Sequence, residues 1–202
     1  AFVDIGLNQA AFIYVDDVIR NGFCDIEKQM ALAGGCGVPV TPDDRQSPIE
    51  DLMVEGQEIL VHVAKAPMGT KGPRVTSYVS LPGRFLVLMP FANHIGVSRR
   101  IEDEVERSRL KNMIAEIRDN HFGYIARTAA EGIDEPRLQQ EMLFLKNLWA
   151  SIQKKFQSVP TPSLIHQELS LSLRAVRDLL AHDADRLIID ARQHYDTAIA
   201  FL

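Results

Sequence analysis

Glycines at the joints of two short strands, the first rich in β-branched residues, constrain this chain more than any other feature. From Gly69 to Arg100 the sequence runs GTKGPRVTSYVSLPGRFLVLMPFANHIGVSRR. Gly69-Thr70-Lys71-Gly72 is a glycine-flanked turn that presents one lysine. Arg74 to Val79 reads as a strand, and Gly83 interrupts before a second strand, Arg84 to Met89. Glycine at such joints lets a polymer backbone approach closely, and Lys71, Arg74, Arg84, Arg99 and Arg100 supply the charge that a phosphate chain attracts. The combination suggests RNA.

Charge limits how such a contact is made. The 202 residues carry a formal net charge of −5, against the strongly basic balance of a generic polyanion binder. Any RNA contact is therefore local, a patch on an acidic body. No apolar run approaches the ~18 residues of a membrane helix. Cys24 and Cys36 are too few and too loosely spaced for a zinc motif, and both read as reduced thiols of the cytoplasm. The chain opens on AFVDIGL, an alternating pattern without a starting Met or signal peptide, which suggests a piece of a longer protein.

Phe2-Val3-Asp4 and Ala10 to Ile13, turning at Gly6, read as a β-hairpin. Residues 16–32 suit a short helix or loop, and 34–48, rich in Gly and Pro, a surface loop. Glu58 to Lys65 alternates as a strand. With Arg74 to Val79 this makes four or more short strands, for which a small Greek-key barrel of the oligonucleotide-binding type is the simplest architecture. Beyond Met89 the character changes. Ile101 to Asp119 predicts a charged helix with Val105, Leu110, Met113, Ile114 and Ile117 as its stripe, and Phe122 to Thr128 a strand. From Asp134-Glu135-Pro136 a second helix places Leu138, Met142, Leu145, Trp149, Ile152 and Phe156 every three or four residues. After the SVPTP linker, 158–162, the pattern predicts a strand at 163–166, a helix at 169–180, a strand at 186–190 and a last helix, an α/β alternation.

The segments VSLPGRFLVLMP (79–90), GVSRRIEDEVER (96–107) and YIARTAAEG (124–132), in that order, resemble the RNase E/G family of bacterial endoribonucleases. The resemblance covers essentially the whole chain. It implies an α+β fold: residues 1–77 an oligonucleotide-binding barrel lacking its first strand, 78–168 a mixed α/β 5′-sensor region, and 169–202 part of an RNase H-like α/β subdomain. It implies endonucleolytic cleavage by the full-length enzyme in rRNA processing and mRNA decay, in the cytoplasm, with a homo-oligomer as the working state and single-stranded RNA bearing a 5′-monophosphate as substrate. The family's two Mg²⁺-binding aspartates and its CxxC zinc link sit in a later, DNase I-like domain, so no catalytic or metal-binding residue is expected in this chain.

Residue by residue, the family's RNA-stacking aromatics match Phe2 and Phe12, and its phosphate-contacting lysine matches Lys71. Core packing is the plain alternative for the two rings, whereas exposed strand aromatics stack bases at about 1–3 kcal/mol each. The pair that grips the 5′-monophosphate matches Arg127 and Thr128, a guanidinium fork with a short hydroxyl donor at a strand end. Gly83 and Val87 match the positions completing that pocket, the first permitting close approach and the second offering an apolar floor. Arg99 and Arg100 suit ion pairs with the acidic run that follows as well as RNA. That run cannot converge on one ion, because consecutive helix residues diverge. His62, His94, His121, His166, His182 and His194 show no metal-ligand spacing, and Asp183, Asp185 and Asp190 suit caps and turns. A stand-alone RNA-binding barrel protein without nuclease activity is the second reading, and it predicts indifference to the RNA 5′ end.

Overall fold

A computed structural model describes residues 1–19, 48–119, 121–180 and 186–201. The expected helix or loop beyond Ile19, the loop as far as residue 47, Cys24, Cys36, His182, Asp183 and Asp185 lie outside the described residues. The chain divides into two compact units, Ala1–Ser163 and Leu164–Leu202.

The first sheet contains β1 (Phe2–Val3), β2 (Ala11–Phe12), β3 (His62–Lys65) and β4 (Arg74–Thr76), in the order β1-β2-β4-β3. The hairpin forms as its alternation predicts: β1 and β2 are antiparallel with Phe2 opposite Phe12, and Gly6, at φ +77°, supplies the left-handed turn residue between them. Strand β2 pairs parallel with β4, Phe12 opposite Arg74. Strand β3 pairs antiparallel with β4, its register shifting between Val63 and Lys65. Ala11, Ile13, Val18 and Val75 form the core beneath, joined by Val3, Ile5, Ile49, Leu52, Met53 and Val61. Buried Ser77 ties the sheet's end together: its N–H and hydroxyl donate to the Asp17 carbonyl at 2.8 and 2.9 Å, and its Oγ accepts from Ile19 N at 2.6 Å.

Among the described residues this sheet does not close, which corrects the expected oligonucleotide-binding barrel to an open four-stranded sheet. Strands β1 and β3 end the order and do not pair with each other. Closure requires strands long enough to tilt and shear around an axis, and these have two to four residues.

The second sheet contains β5 (Leu81–Pro82), β6 (Leu86–Met89), β7 (Ile95–Val97) and β8 (Gly123–Ala126), in the order β5-β6-β8-β7. Strands β5, β6 and β8 are antiparallel neighbours, and β7 runs parallel to β8. Leu86 and Leu88 alternate with half-buried Val87 and Met89, as period two requires. Leu86, Leu88, Tyr124 and Ala126 are fully buried. Helix α1 (Glu104–Ile117) packs on β7 and helix α2 (Glu135–Phe156) on β6.

Asp103 caps α1 by accepting from Val105 N at 2.9 Å. Leu110 and Ile114 are buried, but Val105 is exposed, contrary to its place in the expected stripe. Five residues before Leu110 amounts to a rotation of about 140° around the helix, which takes it off the buried face. Helix α2 matches its expected stripe closely: Leu138, Met142, Leu145, Trp149 and Ile152 are all buried. Phe91 packs edge-on against Trp149, centroids 5.4 Å apart.

The second unit holds α3 (Leu171–Leu179) and α4 (Arg192–Phe201), packed on each other. Ser170 caps α3, its Oγ accepting from Leu173 N at 3.4 Å. The strands expected at 163–166 and 186–190 are absent among the described residues, correcting the α/β alternation to a helical pair. A lone strand leaves its N–H and C=O groups unpaired, and the described residues of this unit offer no neighbouring strand to take them up.

Candidate nucleic-acid interface

Residues directly opposite on neighbouring strands share a face, so the register puts Phe2, Phe12 and Arg74 on one side of the first sheet. Phe2 is 84% exposed, and Phe12 is half-buried. Tyr14, two residues beyond Phe12, meets its ring edge-on at 5.5 Å. The Arg74 guanidinium lies 4.9 Å from the Tyr14 ring centre and is held by Asp17, Nη2 to Oδ2 2.7 Å. Sequence reasoning missed Tyr14, although its spacing from Phe12 on an extended segment was a readable sign.

Lys71 is exposed in a tight turn where Met68 and Lys71 exchange backbone hydrogen bonds, both at 3.1 Å. A Cβ on Gly72 would collide with the Ala10 carbonyl oxygen. That close approach, with Phe12 N donating to Pro73 O at 2.9 Å, sets the lysine turn beside β2. The face thus joins flat apolar rings to nearby cations.

The second constellation lies at the β5–β6 turn. Gly83 N donates to Leu86 O at 2.7 Å, closing the turn, and Arg127 N donates to Phe85 O at 2.8 Å. The Arg127 guanidinium folds back on the same segment, its Nη1 donating to the carbonyls of Gly83 and, at 3.3 Å, Arg84. Arg127 and Gly83 therefore share one corner. Thr128 is exposed directly after Arg127 and opens a short 3₁₀ turn, Thr128–Ala130. Val87 pairs with Ile125, two residues before Arg127, and both side chains are half-buried.

A residue that sequence reasoning missed grips this turn from behind. Glu141 of α2 accepts from the backbone N–H groups of Arg84 (2.5 Å), Phe85 (2.8 Å) and Leu86 (2.7 Å). A Cβ on Gly83 would stand 2.7 Å from Glu141 Oε1 and 2.8 Å from its Cδ, so the space freed by the glycine is filled by this carboxyl group. Burial raises the Glu141 pKa above the ordinary carboxylate range, while the N–H groups of Phe85, Arg84 and Leu86 and the positive Arg127 pull it down. The readable sign was a carboxylate within the apolar stripe, three residues after Leu138 and four before Leu145, where a charged group needs partners.

The segment after Thr128 is anchored to α1. Glu106 accepts from Gly132 N at 2.8 Å and pairs with Arg109 at 2.6 and 2.7 Å, while Arg109 Nη1 donates to Ile133 O at 3.0 Å. The paired guanidinium holds the Glu106 carboxyl down at about 2. Arg99 and Arg100 are exposed in the turn ahead of α1. Among the described residues no three His, Cys, Asp or Glu side chains converge on a point that would hold a metal ion, and no helix is long and apolar enough to cross a membrane.

Comparison with known proteins gives a match to the family model described as Ribonuclease E/G family, over residues 80–202. The chain is 40% identical over 201 residues to Ribonuclease G of Escherichia coli, covering all of this chain and 39% of that protein. Ribonuclease G of Haemophilus influenzae is 40% identical over 192 residues, 95% of this chain and 37% of that one. Ribonuclease E of a Nostoc species is 35% identical over 182 residues, 90% of this chain and 25% of that one. The chain therefore spans well under half the length of these relatives.

Proposed function

This chain belongs to the ribonuclease E/G family, and from that premise we propose that it is the RNA-recognising portion of an endoribonuclease that senses a 5′-monophosphate. Residues 1–77 bind the body of a single-stranded RNA, with Phe2 and Phe12 stacking on bases and Lys71 contacting phosphate. Residues 78–168 sense the 5′ end, with Arg127 and Thr128 gripping the terminal phosphate and Gly83 and Val87 lining the place of the first nucleotide. Residues 169–202 are part of a further subdomain. The whole protein cleaves phosphodiesters in rRNA processing and mRNA decay, in the cytoplasm and as a homo-oligomer. The family resemblance implies Mg²⁺ held by aspartates of a later domain, so no step here runs through a metal ion.

The observation that carries this reading is the Arg127 guanidinium docked at the Gly83–Arg84 corner, with Thr128 exposed beside it. A guanidinium fixed by carbonyls is already oriented, so less order is lost when it meets an anion. Charge-assisted hydrogen bonds contribute about 1.5–3 kcal/mol each, and 1.4 kcal/mol is about tenfold in affinity. A 5′-monophosphate is therefore expected to bind at least about tenfold tighter than a 5′-hydroxyl. Binding of matched short RNAs to wild type and Arg127→Ala tests this. The variant should bind both RNAs alike, and a wild type indifferent to the 5′ end would contradict the reading.

A further inference from the structure

The Gly83–Arg84 and Arg84–Phe85 peptide groups are gripped from both ends. Their carbonyls, Gly83 O and Arg84 O, accept from Arg127 Nη1. Their N–H groups, on Arg84 and Phe85, donate to Glu141. Two peptide units thus lie side by side, each bridging the Glu141 carboxylate and the Arg127 guanidinium. Leu86 N supplies a third donor to the carboxylate, and Gly83 lacks the side chain that would displace it. In such a chain each hydrogen bond polarises the next: an anion at the N–H end makes the carbonyl end a stronger acceptor.

We propose that Glu141 is a positioning residue for 5′-phosphate recognition: it fixes the β5–β6 turn, and through the Gly83 and Arg84 carbonyls it aims the Arg127 guanidinium. This rests on the 5′-end reading above. Glu141 acts through backbone and Arg127 and makes no contact of its own with RNA. Its sign of action is diagnostic. An anion close to a phosphate site repels phosphate, so a group acting only through space would strengthen binding when neutralised. A positioning group does the reverse.

The test measures affinity of the 202-residue chain for one short single-stranded RNA carrying either 5′-monophosphate or 5′-hydroxyl. The proteins are wild type, Glu141→Gln, Glu141→Asp, Arg127→Ala and the Glu141→Gln/Arg127→Ala double variant, each checked for folding by circular dichroism. In wild type a preference of about tenfold is expected. In Glu141→Gln the preference falls to about twofold or less, while affinity for the 5′-hydroxyl RNA stays within about twofold. The double variant behaves as Arg127→Ala alone, because both act on one contact. Glu141→Asp, which keeps the charge on a shorter stem, retains an intermediate preference and serves in place of Glu141→Gln should the latter not fold. An unchanged or increased preference in Glu141→Gln, or independent losses in the double variant, overturns the role of Glu141 alone. Loss of folding in both Glu141 variants, or equal weakening toward both RNAs, makes Glu141 a stability residue and overturns it likewise. A wild type without preference removes the 5′-end reading itself, and this role with it.

Discussion

On the first sheet Phe2 is 84% exposed and Tyr14 54%, whereas on the second the polar groups of interest, Arg127 and Glu141, are bonded to the backbone of a neighbouring turn. On the first face flat rings stand in water, where, on the function proposed above, a stacked base would cover them. The second corner is held from α2 through Glu141, and the segment after Thr128 is held from α1 through Glu106 and Arg109. One region offers exposed apolar area, the other a guanidinium of fixed direction. That contrast matches a division between binding an RNA's body and reading its end.

If the contrast is sound, the two regions respond differently to substitution. The largest effect is expected in the packing behind the second corner. Leu86→Ala removes a fully buried side chain and should cost about 2–5 kcal/mol in urea unfolding. Gly83→Ala follows, at about 1–3 kcal/mol, because the added Cβ must push aside the Glu141 carboxyl group. Phe2→Ala should change stability by no more than about 0.5 kcal/mol, yet weaken RNA binding by about 1–3 kcal/mol whatever the 5′ end. A Phe2→Ala as destabilising as Leu86→Ala would break the comparison.

The smallest effect is in pH. Glu106 has a carboxyl lowered to about 2 in the folded chain, so its pairing stabilises fully above the ordinary value near 4.5 and is lost as pH falls toward 2. Melting temperatures of wild type and Glu106→Gln should therefore converge across that window. A difference that persists unchanged at its acid end would deny Glu106 this part in anchoring the segment after Thr128.

Much of this was legible in the residues, and what was not has physical causes. The 3.6-residue period of Leu138 to Ile152 fixes α2, and alternation around Gly6 fixes the first hairpin, because both signals are local. Strand β7, Ile95–Val97, went unread: it is three residues long and owes its existence to a parallel partner on β8, far along the chain. The barrel was expected from strand count, but closure depends on strand length and pairing order, which alternation does not encode. For the sites, motifs brought attention to Gly83 and Arg127, and their proximity is seen in the fold. Glu141 was hidden because its three partners are backbone N–H groups, which no side-chain pattern announces.

The most direct trial of the account is one binding experiment: a 5′-monophosphate and a 5′-hydroxyl form of the same single-stranded RNA, titrated with wild type, Phe2→Ala and Arg127→Ala. The division of labour predicts that Phe2→Ala weakens both RNAs by the same factor and keeps the preference, while Arg127→Ala erases the preference and leaves the 5′-hydroxyl RNA untouched. Preference surviving in Arg127→Ala, or vanishing in Phe2→Ala, would contradict it.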